Sequence, residues 1–148
     1  MKKIFFVIAA LLLSATSFSQ ILQPVKWSYA TKKTGKNEAV IYLKATIDKG
    51  WHIYSQRLSE DGPVKTSFNF SPSSAYKKLG TTIEPTPVTS FERAFNMNVS
   101  YFTNTVIFQQ KISIPKVPAV IRGKIEYMAC NDQKCLPPEE VAFSVSIK

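Results

Sequence analysis

The chain has few of the residues that most often build metal centres and active sites. Among its 148 residues there are two cysteines, one histidine and five glycines. A second cysteine pair is absent, so the paired-ligand pattern of a structural zinc site is not present. Internal repeats, low-complexity tracts and linkers are also absent, which is typical of a single domain.

Long hydrophobic runs are missing except at the N-terminus. Residues 4–13 are apolar without interruption, but a helix that spans a bilayer needs about 20 residues. Lys2 and Lys3 precede this run and small residues follow it as far as Ser19, which is the pattern of a cleavable signal peptide. We therefore predict a signal peptide at residues 1–19 and an exported, periplasmic domain at residues 20–148 that does not itself span the membrane.

Clusters of basic residues are absent as well. The formal charge of +9 becomes +7 when the two lysines of the leader are removed. The longest basic runs that remain are the pairs Lys32-Lys33 and Lys77-Lys78. Nucleic-acid binding needs a basic patch on one face. We therefore predict a solvated basic surface and no nucleic-acid partner.

No segment shows a sustained helical period, and a period of two is present instead. Val25, Trp27 and Tyr29 are predicted to share one strand face, and the next run is predicted to do so through Val40, Tyr42, Ala45 and Ile47. Further strands are predicted at residues 51–55, 66–70, 76–83, 101–114, 121–128 and 141–147. Short strands separated by turn residues predict an all-β fold, an antiparallel immunoglobulin-like β-sandwich.

One stretch does not follow this alternation. Residues 85–98 mix prolines, Phe91, Phe95 and Met97 with polar residues. The pattern predicts a long loop that holds apolar side chains, and such loops in compact domains are often functional.

The two cysteines, Cys130 and Cys135, are separated by four residues. In an exported protein this pair is expected to form a disulfide. A six-residue ring restricts the unfolded chain by only about 2 kcal/mol, against nearly 5 for a ring of about 100 residues. The pair also lies in a turn between the last two predicted strands, where exposed disulfides are the reactive ones. The residue pattern alone leaves redox chemistry and a local structural clip both open.

Three stretches of the sequence carry a family resemblance. Residues 127–139 read Tyr-Met-Ala-Cys-Asn-Asp-Gln-Lys-Cys-Leu-Pro-Pro-Glu, residues 50–54 read Gly-Trp-His-Ile-Tyr, and residues 91–102 contain Phe95. Together they resemble the N-terminal periplasmic domain of the thiol:disulfide interchange protein DsbD family. The likeness extends over essentially the whole predicted mature chain. Two departures are a cysteine loop one residue shorter than the family pattern and a single acid, Glu92, near Phe95.

The resemblance implies a thiol:disulfide oxidoreductase component that works by transient mixed disulfides. Electrons would come from a separate membrane-embedded thiol reductase and pass to thioredoxin-like periplasmic proteins, including those of cytochrome biogenesis. By position, Cys135 would form the mixed disulfide and Cys130 would resolve it. Phe95 would lie in a cap that shields the pair, with His52 and Tyr54 beside it. No metal or other cofactor is implied.

Two alternatives belong to other classes of function. The first is a Cu(I)-binding periplasmic domain, because several side chains offer soft ligands. These are Cys130, Cys135, Met128, Met97 and His52. The second is an immunoglobulin-like binding module in which the disulfide is only a structural clip. An exposed aromatic platform away from the cysteines would distinguish it.

Overall fold

The computed structural model describes residues 22–59 and 61–148, and the predicted signal peptide lies outside them. Within these residues the chain forms eleven β-strands: β1 Val25–Lys33, β2 Glu38–Ile47, β3 His52–Tyr54, β4 Ser67–Phe70, β5 Lys77–Ile83, β6 Val88–Glu92, β7 Met97–Thr103, β8 Thr105–Ser113, β9 Ala119–Tyr127, β10 Ala129–Cys130 and β11 Glu139–Ile147. All the strand pairs are antiparallel. In the same part of the chain, no helix is long and apolar enough to cross a membrane.

Two of the sheets form a sandwich. One has the strand order β1-β2-β8-β5 and the other β11-β9-β4. Because successive side chains of a strand alternate between faces, one face of each sheet turns apolar side chains inward. Ring contacts join the two layers: Trp27 on β1 contacts Phe68 and Tyr127, and Tyr29 contacts Phe143 at a centroid distance of 5.6 Å. The predicted all-β, immunoglobulin-like sandwich is confirmed.

The inward residues of both layers form one buried apolar cluster, which includes Ile41, Leu43, Phe108, Ile121 and Ile125. Burying side chains of this size contributes about 1.5–3 kcal/mol each before the loss of chain entropy is counted. The sandwich is therefore the stable frame of the molecule.

The third sheet, which we call the site sheet, has the order β10-β3-β7-β6. It is continuous with the sandwich at two single-residue crossings. Asn104 separates β7 from β8 with a φ of 59°, a conformation that asparagine adopts more readily than most residues. Met128 separates β9 from β10. The site sheet is thus built from two excursions of the chain out of the sandwich, residues 48–66 and 84–104, and from the short strand β10.

The structure corrects three of the sequence predictions. Residues 85–98 are not a long loop, because β6 and β7 form a hairpin there that turns at Asn96, with a φ of 52°. The alternation is weak because four of the five β6 residues are exposed, on an edge strand. Residues 101–114 form two strands rather than one, since the chain changes sheet at Asn104. On β2 the inward face consists of Ala39, Ile41, Leu43, Ala45 and Ile47, so Val40 and Tyr42 lie on the opposite face.

Candidate active site

The two cysteines form a disulfide across a tight hairpin. Cys130 ends β10 and is paired with Cys135 in an antiparallel bridge. Between them, the Asn131 N–H donates to the Lys134 carbonyl at 2.9 Å. The Asn131 side-chain oxygen also accepts the backbone N–H groups of Gln133 and Lys134, at 2.9 and 2.8 Å. Three hydrogen bonds therefore close this loop of four residues, although it is one residue shorter than the family pattern.

The two sulfurs have very different surroundings. Cys130 is 0% exposed and lies in a small buried cluster with Tyr54 and Val99. Cys135 is exposed and lines a cleft of about 400 Å³ between the cysteine hairpin and β6. A protein-sized reagent can therefore reach the Cys135 sulfur, whereas the Cys130 sulfur is shielded from solvent.

A polar network lies next to Cys130. The Tyr54 hydroxyl donates to the Glu92 carboxylate, at 2.9 Å from each oxygen. His52 Nε2 lies 3.2 Å from the same hydroxyl oxygen and 3.9 Å from a Glu92 oxygen. Because the single hydroxyl proton points to Glu92, the tautomer with a proton on Nε2 lets His52 donate to Tyr54. The network joins β3 and β6, which flank β7 on either side.

Burial sets the protonation of this network. Burial raises the pKa of Tyr54, and the hydrogen bond and charge of Glu92 raise it further. Burial lowers the pKa of His52, although the negative charges of Glu92 and Asp132 oppose that change. At neutral pH the histidine is therefore neutral and the tyrosine is protonated.

Phe95 lies in the turn that joins β6 and β7. Its half-buried ring makes an edge contact with Tyr54 at a centroid distance of 6.3 Å and packs against the buried cluster that contains Cys130. The ring therefore lies on the Cys130 side of the disulfide, and Cys135 stays exposed. Sequence reasoning placed Phe95, His52 and Tyr54 in one region, and the structure brings them together.

Sequence reasoning did not assign roles to two aromatic residues of the cleft. Phe91 is 56% exposed on β6, and the Tyr101 ring on β7 contacts the His52 ring in a tilted arrangement at a centroid distance of 4.9 Å. In the sequence, Phe91 stands out only as an apolar residue four positions after Pro87, within the stretch predicted to be a loop. The partner of Tyr101 depends on strand register, which the sequence does not display.

A second hydrogen bond closes the base of the cysteine segment. The Tyr127 hydroxyl donates to a Glu139 carboxylate oxygen at 2.7 Å, and the two residues are paired where β9 and β11 meet. Burial raises the pKa of Tyr127, and Glu139 raises it further. Tyr127 and Glu139 are the first and last residues of the cysteine motif, so their hydrogen bond holds its two ends together.

Potential metal ligands also meet at the site. The nearest ligand atoms of His52, Glu92 and Cys130 lie within 4.8 Å of one another. Met97, one of the predicted Cu(I) ligands, points its sulfur toward Gly62, 3.1 Å from where a Cβ on that glycine would lie.

The family model described as thiol:disulfide interchange protein DsbD, N-terminal, matches residues 19–147. The chain belongs to this family. Among curated protein sequences, no match is found.

Three solved structures share the fold of this chain. The reduced DsbD N-terminal domain of Neisseria meningitidis is 14% identical with a TM-score of 0.52, covering 80% of this chain and 83% of its own. The N-terminal periplasmic domain of ScsB from Proteus mirabilis is 15% identical with a TM-score of 0.61, covering 84% of this chain and 49% of its own. A structure of the complex between the DsbD N-terminal and PilB N-terminal domains of Neisseria meningitidis is 12% identical with a TM-score of 0.53, covering 84% and 87%.

Membership in the DsbD N-terminal family and the sandwich fold confirm the resemblance drawn from residues 127–139. The pair Cys130 and Cys135 forms a disulfide in this chain.

Proposed function

We propose that this chain is a periplasmic thiol:disulfide interchange domain that works through Cys130 and Cys135. The observation that supports this best is the asymmetry of the pair, with one sulfur exposed in a cleft and the other buried. A structural clip has no use for one exposed and one buried sulfur. A six-residue ring also stabilises the fold by only about 2 kcal/mol. An interchange site needs the asymmetry, since only one sulfur should meet the partner.

In the forward direction the reduced domain gives up two electrons. The Cys135 thiolate attacks one sulfur of the partner's disulfide, forming a Cys135–partner disulfide and releasing the partner's other sulfur as a thiolate. The Cys130 thiolate then attacks the Cys135 sulfur, which forms the intramolecular disulfide and releases the second partner thiolate. The partner leaves with two thiols after taking up two protons, and the domain is oxidised.

Cys130 needs help with its proton, because a buried thiol is poorly ionised. The neutral imidazole of His52 lies within 4.8 Å of the Cys130 sulfur. It can accept that proton as the thiolate forms, and the Tyr54–Glu92 hydrogen bond holds the imidazole in place. His52 is therefore assigned as the proton acceptor for the resolving step.

The partner is proposed to be a thioredoxin-like protein. The solved complex of a DsbD N-terminal domain with a PilB N-terminal domain supports docking of a second protein domain on this fold. Reduction of the domain is assigned to a separate membrane-embedded thiol reductase, and the electrons would continue to cytochrome biogenesis or other periplasmic thiol proteins.

Trapping the mixed disulfide tests the proposal. The Cys130→Ala variant is reduced, Cys135 is activated as an aromatic disulfide, and a thioredoxin with one active-site cysteine is added. We expect a stable covalent complex through Cys135, seen by non-reducing electrophoresis and mass spectrometry. The matched variant Cys135→Ala, treated in the same way, should give at least about 10-fold less complex because its remaining thiol is buried.

Equal trapping by the two variants would remove the assigned roles. A reduction potential of the wild-type pair far below about −300 mV would identify the disulfide as a structural clip instead.

A further inference from the structure

The site sheet brings nitrogen, oxygen and sulfur ligands to one point beside the disulfide. We propose that the reduced form of the domain binds one Zn²⁺ ion through Cys130, Cys135, His52 and Glu92. This inference depends on the proposed function only in requiring that the disulfide can be reduced. It concerns the same sulfurs in a state that is not engaged with a partner.

The strand pairing of the site sheet already brings the four side chains close together. His52 on β3 is the direct cross-strand partner of Cys130 on β10. Glu92 ends β6, and its carboxylate reaches back across β7 to the same point. The ligand atoms of these three residues already lie within 4.8 Å of one another, and the Cys135 sulfur is bonded to that of Cys130. Ligands of a tetrahedral zinc ion lie about 3.3–3.8 Å apart, as follows from bond lengths of about 2.0–2.3 Å, so side-chain shifts of about 1 Å complete the site.

The chemistry of the donor set favours Zn²⁺ over Cu(I). Two thiolates, an imidazole and a carboxylate make a mixed four-ligand set that suits a tetrahedral divalent ion. Cu(I) prefers an all-sulfur ligand set, whereas only two of the four ligands here are sulfurs. Glu92 and the nearby Asp132 add negative charge, which favours the divalent cation.

The Tyr54 hydroxyl is placed to orient two of the proposed ligands, Glu92 and His52. A ligating carboxylate or imidazole is usually oriented by a hydrogen bond from a neighbouring group, and loss of that group weakens metal binding by about 10- to 100-fold. The buried Tyr54 hydroxyl already donates to Glu92 and contacts His52 Nε2. On metal binding His52 keeps its single proton on the ring nitrogen that does not bind the ion, and Tyr54 continues to orient the carboxylate.

Electrons and protons balance as follows. A phosphine reductant and one water convert the disulfide to two thiols, and the phosphine becomes a phosphine oxide. Zn²⁺ then replaces the two thiol protons, which are released to the buffer. In the metal-bound form both sulfurs are occupied, so the domain cannot attack a partner's disulfide until the ion is removed.

The test uses the full chain, reduced with a phosphine under nitrogen and titrated with Zn²⁺ against a chromophoric chelator. We expect one ion per reduced chain and at least about 100-fold weaker binding by the oxidised chain, which lacks both thiolates. Co²⁺ in place of Zn²⁺ should give the intense visible bands of a tetrahedral ion and a sulfur-to-metal charge-transfer band.

Variants then test the ligands. His52→Gln and Glu92→Gln should each weaken binding by at least about 10-fold, and Tyr54→Phe by about 10- to 100-fold. Glu126→Gln is the matched control, because Glu126 lies on β9 outside the site sheet, and it should bind like wild type.

Three results would overturn the proposal: equal Zn²⁺ affinity in the oxidised and reduced chains, wild-type affinity in both His52→Gln and Glu92→Gln, or a Co²⁺ spectrum without tetrahedral bands. The spectrum is recorded on the wild-type chain, so it decides even if a variant does not fold. The mixed-disulfide trap is run without metal, so loss of zinc binding and loss of interchange are distinguishable.

Discussion

The sandwich and the site sheet differ in the kind of buried cluster that each contains. The sandwich consists mainly of long strands whose inward residues form one large apolar cluster, with rings in contact across the layers. The site sheet has strands of two to seven residues, and its small cluster contains Tyr54 and Cys130. The inward face of the site sheet adds Ile53, Phe102 and Ala129 to the large apolar cluster, and its other face carries the Tyr54–Glu92 hydrogen bond. Changes to the apolar cluster should cost stability, and changes to the hydrogen-bonded face should cost chemistry.

Buried polar groups attach the site sheet to the sandwich. Glu84, just after β5, is buried and accepts hydrogen bonds from the Ser55 hydroxyl and from the Gln56 backbone N–H. Thr66, also buried, donates its hydroxyl proton to the Tyr54 carbonyl. These bonds fix the Tyr54 carbonyl and the residues directly after β3, and the bond to Glu92 fixes the Tyr54 hydroxyl. A buried polar group left without its partner costs about 1–3 kcal/mol, which makes these attachments specific.

The largest expected effect lies in the sandwich, at Gly123. A Cβ there would lie 2.5 Å from the Asn69 carbonyl oxygen and 2.6 Å from the ring of Phe143. Gly123→Ala should therefore lower the free energy of unfolding by about 3 kcal/mol, as measured by urea denaturation. Below the transition, the Cys135 reactivity of the reduced variant should match wild type.

Gly35→Ala is the control, because the nearest atom to its added Cβ is 3.7 Å away. If both variants are equally stable, the close packing of β4, β9 and β11 around Gly123 is not as described.

Reduction of the disulfide should have the next largest effect on stability. Because the ring contains six residues, the reduced domain should unfold with a free energy about 2 kcal/mol below that of the oxidised domain. Paired urea titrations with and without reductant measure this difference. The double variant Cys130→Ala, Cys135→Ala should not respond to the reductant. A much larger difference would mean that the site sheet does not fold without the disulfide.

Removing the Tyr54 hydroxyl should cost about 1 kcal/mol, the net value of a typical hydrogen bond. The pKa of this tyrosine is raised in the folded state, so above about pH 10 the unfolded chain loses a proton that the folded chain keeps. Stability should therefore fall as the pH rises beyond that point, and Tyr54→Phe should make the fall less steep. Thermal unfolding measured from pH 8 to 11 gives both quantities.

Tyr42→Phe is the control for the alkaline experiment, since Tyr42 lies on the outer face of β2. An alkaline slope in Tyr54→Phe that equals the wild-type slope would exclude the Tyr54–Glu92 bond as its source.

The smallest effect should appear in mild acid. The folded-state pKa of His52 is lowered. Below about pH 6.5, His52 is therefore more fully protonated in the unfolded chain than in the folded chain. Stability should fall slightly as the pH drops from 7 to 5.5. His52→Gln should flatten this dependence, because His52 is the only histidine of the chain. The same slope in both proteins would show that His52 is not buried beside Cys130.

The sandwich was largely predictable from sequence because burial on one face forces alternation. The strands predicted at residues 121–128 and 141–147 correspond to β9 and β11. The offset on β2 arose because Val40 is buried although it lies on the outer face, so hydrophobicity alone could not assign the face. The β6 strand was missed for the opposite reason, since an exposed edge strand has no buried face to mark it.

The site was predictable only in part. The cysteine motif and the Gly-Trp-His-Ile-Tyr stretch identified four of the central residues through family resemblance. The burial of Cys130 and the contact of Glu92 with Tyr54 required the strand order β10-β3-β7-β6. That order brings together residues 38 positions apart in the chain, and no local pattern encodes it.

The hairpin between the cysteines has a consequence for how the domain can change over evolutionary time. One side chain, Asn131, accepts the backbone hydrogen bonds that shape the turn. The next three residues, Asp132, Gln133 and Lys134, are exposed and line the cleft. Substitutions at Gln133 and Lys134 should therefore change the surface that the loop presents to the cleft, while Asn131 keeps the turn and the two sulfurs in place. The shape of this short loop and the surface that it presents are encoded by separate residues.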